Sequence, residues 1–367
     1  MQAHSEFMRV ARRWSLGERL VLATLLVAAT PTGAHVANAQ GTDVAKTSRP
    51  APPPASWVGL IGEYGNDNHI LISERNGSLY ATVEWLAAYP IREESTDTFV
   101  WPHAGLYDGE RVTFTRASNG RATRLTVGGV VFPRRQLGPD SGNQLRITPL
   151  RPIEDLRRSA LAAHPPTEPA SARAPDLVEI VKLDSTIELE IRYATTNNFL
   201  GSRMYTEARA FMQRPAANAV VRANKELRAH GYGLLIHDAY RPWYVTRIFW
   251  DATPQDKKWL VANPASGSRH NRGCAVDLTL YDLKTGKPVD MVSTYDESTQ
   301  RAYADYPGGS SVERWYRALL RSAMESQGFS ANPQEWWHFD YKDWRDYPIM
   351  NVPFENIRPN SWTTPQG

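Results

Sequence analysis

The stretch SRHNRGCAVDLTL at residues 268–280 constrains the fold most, because its second half predicts a buried strand that starts directly after a tight glycine turn. Successive side chains of a strand point to opposite faces. Val276 and Leu278 would therefore lie on one face of the strand and Asp277 on the other. The loop that enters the strand carries His270, so this short segment supplies both a histidine and a carboxylate.

A second group of chemically active residues, EWWH at residues 335–338, lies much later in the chain. With His270 and Asp277 it supplies two histidines and one aspartate, a set that can hold a zinc ion and leave one position open for water. Glu335 would then be free to act as a general base. The alternatives are a structural hydrogen-bonded pair for His270 and Asp277, and an aromatic cluster packed around His338.

The spacing within this second group raises a geometric problem. Glu335 and His338 are three positions apart, which on a regular strand places them on opposite faces. Pro333 precedes them, so one solution is that Glu335 lies in the loop that enters the strand. The other solution is a β-bulge that turns one of the two side chains.

The N-terminal residues 1–39 have the features of a signal peptide. A basic start is followed by an uncharged apolar run over residues 20–30, and Ala37-Asn38-Ala39 matches an A-x-A cleavage site. The apolar run is too short to span a bilayer as a stable helix. We therefore expect an exported protein, periplasmic or secreted, without stable membrane insertion after cleavage. An uncleaved membrane anchor is the alternative.

Composition narrows the classes of partner. A net charge of +3 on 367 residues gives no electrostatic argument for nucleic acid. The single cysteine, Cys274, rules out an intrachain disulfide. The stability of the exported chain must therefore come from its hydrophobic cores, for which the chain is long enough.

Changes in composition divide the rest of the chain into four segments. Residues 40–56 form a Pro- and Ala-rich linker. Residues 57–150 contain β-rich runs joined by Asn-Gly and Gly-Gly, which predict a small all-β accessory domain built as a meander barrel or a sandwich. Residues 151–175 predict a short helix and a second Pro-rich linker. Residues 176–367 mix strand and helix patterns, which predict an α+β domain with an antiparallel sheet and flanking helices.

The motif S-x-H-x-x-G-x-A-x-D at residues 268–277, together with EWWH at 335–338, resembles the D-alanyl-D-alanine dipeptidase family. That family includes zinc dipeptidases of the vancomycin-resistance type and is related to zinc D,D-carboxypeptidases. Two further stretches, YATTNNF at 193–199 and DAYRP at 238–242, agree with the resemblance. It covers residues 177–347, roughly half of the chain, and does not reach the β-rich segment.

The resemblance implies a zinc peptidase with one zinc ion per chain, which hydrolyses D-alanyl-D-alanine to two D-alanines. A small D,D-dipeptide is thus the expected partner, and its free ammonium group calls for a carboxylate in the pocket. The roles that the resemblance implies are zinc ligation by His270, Asp277 and His338, general-base catalysis by Glu335, oxyanion stabilisation by Arg241, and contact with the dipeptide by Tyr193, Ser268 and Asp296.

Some of these roles have alternatives. Arg241 could simply pair with Asp238, and Asp296 could be an ordinary loop carboxylate. Arg269 departs from the family pattern, because some members carry a small residue at this position. If Arg269 enters the pocket, it would alter recognition of the substrate carboxylate.

Two other functions compete with the dipeptidase. The first is a zinc D,D- or L,D-carboxypeptidase that trims peptidoglycan stem peptides, for which peptidoglycan fragments would be the partners. The second is a non-catalytic zinc-bearing module that binds the cell wall. The presence of both Glu335 and Arg241 argues against the second function, because a binding module needs neither residue.

Overall fold

A computed structural model describes residues 48–138, 145–168 and 170–357 of the 367-residue chain. The predicted signal peptide and the first part of the predicted 40–56 linker lie outside the described residues. Within the described ranges, no helix has both the length and the apolar character needed to cross a membrane.

Eight antiparallel strands follow one another as a meander after a short helix, α1 (Ala55–Val58). The strands are β1 (Gly62–Tyr64), β2 (Ile70–Arg75), β3 (Ser78–Val83), β4 (Ala87–Ser95), β5 (Thr98–Val100), β6 (Arg111–Arg116), β7 (Ala122–Val127) and β8 (Val130–Pro133). Hairpin turns at Gly77, Gly120 and Gly128-Gly129 have positive φ angles, as the sequence predicted.

The meander closes on itself. Tyr64 at the end of β1 forms a bridge with Arg134, which directly follows β8. The Gly65 amide donates to the Pro133 carbonyl at 2.8 Å, so backbone hydrogen bonds join the first and last strands. The eight strands therefore form a small barrel, and its interior is filled by a separate apolar cluster that includes Phe99 and Leu125.

The second sheet has five strands in the order β10-β12-β13-β15-β14. The strands of this region are β9 (Leu177–Glu179), β10 (Glu188–Leu189), β11 (Phe211–Gln213), β12 (Tyr232–Asp238), β13 (Ala275–Asp282), β14 (Phe329–Asn332) and β15 (Glu335–Tyr341), of which β9 and β11 form a separate pair.

The expectation of an antiparallel sheet is wrong at one edge of this second sheet. β10 pairs in parallel with β12, whereas the other neighbouring strands of the sheet are antiparallel. The reason is the connection between them: parallel neighbours need a long crossover, and here the crossover contains a helix, α4 (Arg214–Ala229). The sheet is therefore mixed.

Helices cover the second sheet and share one apolar core with it. Besides α4 they are α2 (Ile153–Leu161), α3 (Ile180–Leu183), α5 (Trp243–Ala252) and α6 (Ser311–Ser326). α6 starts with a capping box, in which Ser310 and Glu313 exchange side-chain-to-backbone hydrogen bonds. α2, expected between the two units, packs on α5 and adds Leu156 to this core. The segment boundaries given by the sequence stay predictions.

β13 lies in the middle of this sheet, between β12 and β15, and its residues from Ala275 to Tyr281 are buried. Its register places Asp277 opposite Asp238 on one side and His338 on the other. A polar side chain at this position is therefore held deep in the sheet, where it needs partners.

Candidate metal centre

Adjacent secondary-structure elements bring the two histidines and the aspartate together. Asp277 and His338 are direct neighbours across β13 and β15. His270 lies in a 3₁₀ turn, residues 269–272, directly before β13. Gly273 ends this turn with φ at 67°, and a Cβ atom there would lie 2.6 Å from Leu177 Cδ2. Only glycine meets both requirements without strain, so Gly273 directs the chain from the histidine into the strand.

The distances within the three-residue set suit a metal ion. His270 Nε2 lies 3.2 Å from His338 Nδ1 and 3.4 Å from Asp277 Oδ1, and the last two atoms are 2.9 Å apart. Ligand atoms 2.0–2.1 Å from a tetrahedral zinc ion would be about 3.3 Å from one another. The three side chains are buried and form a possible three-residue metal site.

Each histidine is oriented by a hydrogen bond on its outer nitrogen. His270 Nδ1 lies 2.7 Å from the Ala239 carbonyl, which can only accept, so this nitrogen carries the proton. His338 Nε2 lies 3.0 Å from Asp340 Oδ1. In each ring the nitrogen that faces the other ligands is the one that can bind a metal ion, once it has released any proton it carries.

Asp277 is oriented in the same way. Its Oδ1 faces the histidines, while its Oδ2 accepts a hydrogen bond from the Tyr295 hydroxyl at 3.0 Å. Burial by itself would raise the pKa of Asp277, but His270 and His338 hold it well below its usual range. Asp277 is thus a buried anion, which is the form of a carboxylate that binds a metal ion.

Arg269 supports the ligand shell. Its Nη1 donates to Asp340 Oδ2 at 2.6 Å, and its guanidinium stacks on Trp344 with 4.8 Å to the ring centroid. Asp340 is the carboxylate that orients His338, so Arg269 acts on the metal site through two hydrogen bonds. Arg269 also lines the pocket described below, but its charge is already paired.

Glu335 lies beside the three ligands, because a bulge changes the register of the hairpin. Asn332 pairs with Glu335 and the preceding Ala331 pairs with Phe339, so β15 gains extra residues between these two pairs. Glu335 belongs to β15 and not to the loop before it. Of the two solutions that the sequence left open, the structure therefore has the β-bulge. Glu335 Oε2 consequently lies 3.8 Å from His338 Nδ1.

The environment of Glu335 suits a proton acceptor. Asn332 Nδ2 donates to its Oε2 at 3.0 Å, which fixes the carboxylate. Removal from water raises the pKa of Glu335, as does the neighbouring Asp277, although His338 opposes the shift. A raised pKa brings a carboxylate closer to the value that a general base needs at neutral pH.

Arg241 both pairs with Asp238 and reaches the pocket. Its Nε and Nη2 lie 3.0 and 2.7 Å from Asp238 Oδ2, and Asp238 also accepts from the Tyr205 hydroxyl at 2.7 Å. The guanidinium lies over the rings of Tyr193 and Phe249, 5.2 and 5.0 Å from their centroids. The ion pair between Arg241 and Asp238, which the sequence offered as an alternative to a role in the pocket, is therefore present. It holds the guanidinium in place at the pocket wall.

Asp296 lies at the other side of the pocket. Its Oδ2 accepts a hydrogen bond from the Tyr193 hydroxyl at 3.1 Å. Burial, together with the carboxylates of Asp277 and Glu335, raises the pKa of Asp296 to about 8. Within the described part of the chain Asp296 has no salt bridge, and the nearby Arg241 opposes the rise in its pKa only in part.

One cavity of about 430 Å³ contains all the residues that the sequence singled out. Ser268 lines it as well, and its hydroxyl accepts from the His270 amide as the cap of the 3₁₀ turn. The candidate residues on its wall are Tyr193, Arg241, Ser268, His270, Asp277, Asp296, Glu335 and His338. Their roles remain predictions.

The outer partners Tyr295, Asp340 and Asn332 are not among the residues that the sequence predicts for the site. Asp340 lies two residues after His338 on the same face of β15, a spacing that could have marked it as a partner. Tyr295 is 18 residues from Asp277 and carries no comparable signal.

A buried set of two histidines and one aspartate, with a glutamate carboxylate 3.8 Å from one of the histidines, is typical of a hydrolytic metalloenzyme. The model of one peptidase family, described as D-ala-D-ala dipeptidase, matches residues 173–356. This chain therefore belongs to the D-Ala-D-Ala dipeptidase family and is a metallopeptidase.

Curated relatives agree with this assignment. A D-alanyl-D-alanine dipeptidase of Escherichia coli is 33% identical over 175 residues, which are 48% of this chain and 89% of the relative. Dipeptidases of the same name from Enterococcus faecium and Enterococcus faecalis are 35% and 36% identical, over 46% and 44% of this chain and 91% and 89% of their own length. The similarity accounts for about half of the chain, whereas nearly the whole of each relative is matched.

Tyr295→Phe should weaken the affinity of this candidate site for a metal ion, tested with zinc, by about tenfold, because it removes the hydrogen bond that orients Asp277. The affinity is measured by competition with a chromophoric zinc chelator. Tyr281→Phe is the matched control, since its buried hydroxyl donates to the Thr186 carbonyl at 2.7 Å, away from the three ligands. Equal zinc affinities for the two variants would contradict the orienting role.

Proposed function

We propose that this metallopeptidase hydrolyses D-alanyl-D-alanine to two D-alanines with one zinc ion, held by His270, Asp277 and His338. The ligand spacing and the names of the relatives support this proposal. The observation that carries the choice of substrate is the Asp296 carboxyl group on the wall of the same cavity, because a free dipeptide has an ammonium group to match it.

When bound, zinc would lower the pKa of a coordinated water to about 7 and polarise the scissile carbonyl. Glu335 would accept one proton from the attacking water as its oxygen adds to the carbonyl carbon. The same carboxyl group then returns the proton to the amine nitrogen as the carbon–nitrogen bond breaks. Its raised pKa and the hydrogen bond from Asn332 suit both steps.

Arg241 stabilises the negative charge that develops on the carbonyl oxygen during attack. Asp238 holds its guanidinium through two hydrogen bonds, so little reorganisation is needed when the charge appears. A single well-placed donor of this kind contributes about 3 kcal/mol to transition-state stabilisation.

Asp296 binds the substrate's ammonium group, and Tyr193 orients Asp296. Desolvation raises the pKa of Asp296, and the nearby carboxylates of Asp277 and Glu335 raise it further. A cationic substrate group relieves this repulsion. A stem peptide of peptidoglycan presents an acylated nitrogen at this position instead of an ammonium, so the carboxylate favours the free dipeptide over the polymer.

Glu335→Gln should lower the rate of alanine release from D-Ala-D-Ala by at least about 100-fold, because the amide cannot accept the proton. The bound zinc, measured by metal analysis, should stay near one per chain. His338→Ala should lose the zinc as well as the activity. Glu325→Gln is the control, since this carboxylate lies at the exposed end of α6. Normal turnover by Glu335→Gln would rule out its role as the base.

Asp296→Asn should raise the KM for D-Ala-D-Ala by about 10- to 100-fold, the effect of losing a charge-assisted hydrogen bond. Wild-type protein should strongly prefer this dipeptide over N-acetyl-D-Ala-D-Ala, and the variant should lose that preference. Asp305→Asn, whose side chain is 85% exposed, is the control. If wild-type protein cleaves the acetylated peptide equally well, the carboxypeptidase function is favoured. If zinc-loaded protein cleaves neither peptide, the non-catalytic binding module is favoured.

We further propose that the chain acts outside the cytoplasm. The support is the signal-peptide pattern of residues 1–39, which lie outside the described residues. Cleavage after Ala39 would leave Gln40 as the first residue, and N-terminal sequencing of the exported protein should find it. Recovery of the uncleaved chain in the membrane fraction would instead indicate an anchor.

A further inference from the structure

The loop that carries Asp296 is enclosed by the two structural units. We define the substrate loop as residues 292–310, which lead to the start of α6. Its inner side supplies Tyr295 and Asp296 to the metal pocket, through their hydrogen bonds to Asp277 and Tyr193. Ser293 fixes it to β15, because its hydroxyl accepts from the Trp336 indole at 2.8 Å.

The outer side of the substrate loop packs on the barrel. Leu71 of β2 forms a buried apolar cluster with Val292 and Tyr306 of the loop. The Tyr306 hydroxyl donates to Glu63 Oε1 of β1 at 2.8 Å, where Glu63 is itself 4% exposed. Leu71 is fully buried although its neighbours on β2 fill the barrel interior, so its burial comes from this contact.

The chain that leaves the barrel contacts the middle of the loop. Arg301 donates to the Leu137 carbonyl at 3.4 Å and lies 3.4 Å from Glu297 within the loop. Gly138 lies against the Glu297 carboxylate so closely that a Cβ atom at Gly138 would be 2.3 Å from Glu297 Oε2. Glu297 directly follows Asp296, so this contact lies one residue from the pocket.

The barrel also fixes the end of the loop. Glu74 of β2 donates its amide to the Gly309 carbonyl at 3.1 Å, and its carboxylate accepts from the Ser311 amide at 2.7 Å. The barrel therefore contacts the loop at its start, middle and end. Between these contacts Asp296 has φ at 60°, a left-handed conformation that is uncommon for residues other than glycine, although aspartate adopts it more readily than most.

We propose that the barrel is a positioning element of the peptidase site: through Leu71, Glu63 and Glu74 it holds the substrate loop so that Asp296 faces the substrate's ammonium group. This inference rests on the proposed function for its effect on substrate. Leu71 is a positioning residue, because it acts on the substrate only through the loop. The metal ligands and Glu335 lie on other elements, but the loop also carries Tyr295, which orients Asp277, so the assays are made at saturating zinc. The expected signature is then a change in KM with little change in kcat.

The test compares Leu71→Ala with Leu125→Ala in the full chain. Leu71 and Leu125 both lie on barrel strands and are both fully buried. The Leu125 side chain belongs to the apolar cluster inside the barrel, whereas that of Leu71 contacts the substrate loop. Both variants lose the same atoms, so a general loss of barrel stability affects both. The two readouts are hydrogen–deuterium exchange of amides in residues 293–299, and kcat and KM for D-Ala-D-Ala.

Leu71→Ala should speed amide exchange in residues 293–299 and raise KM by about tenfold, with kcat within about threefold of wild type. Leu125→Ala should leave both readouts at the wild-type values, and Leu71→Ile should restore them. Identical behaviour of the two alanine variants would overturn the inference. If wild-type protein does not cleave the dipeptide, the proposed function fails, but amide exchange still decides whether the barrel holds the loop.

Discussion

The pairing of Asp277 with His338 across two neighbouring strands is the contact on which the site depends. Because side chains alternate along a strand, a shift of the register by one residue would turn both side chains to the opposite face. The apolar residues Val276 and Leu278, which are fully buried, oppose such a shift because it would move them out of the core. The same hydrophobic pattern that stabilises the sheet thus fixes the geometry of two candidate metal ligands.

How well each part of the site can be predicted from the sequence depends on how many residues separate the contacting side chains along the chain. The strand at residues 275–282 and the turn before it are local, so their pattern identifies His270 and Asp277. The bulge that turns Glu335 is set by pairing with β14 and by the hairpin between them, so the sequence leaves two solutions open. The parallel pairing of β10 depends on the path of a whole crossover, which no local pattern records.

The contact between the barrel and the substrate loop is only partly visible in the sequence, as an unbroken apolar run in one strand of the barrel. Ile70, Leu71 and Ile72 are three consecutive apolar residues in a strand, whereas a barrel strand with one solvent face should alternate. Such a run indicates that both faces of the strand are covered. It does not say what covers the outer face, because the partner residues Val292 and Tyr306 lie more than 200 positions later in the chain. Sequence alone therefore leaves the barrel as a separate unit.

The carboxyl groups of the pocket favour the binding of positive charge, both as a metal ion and as the ammonium group of the proposed substrate. Two carboxyl groups of the pocket have raised pKa values: desolvation raises the pKa of Asp296 to about 8 and also raises that of Glu335, and the nearby charge of Asp277 adds to both shifts. The guanidinium of Arg241 compensates little of this charge, because it is paired with Asp238 at 2.7 Å. A divalent cation at the histidines and an ammonium group at Asp296 would supply the missing positive charge at two separate points. A substrate with a free amino group close to its scissile bond meets the second requirement, and a dipeptide is the shortest peptide that does so.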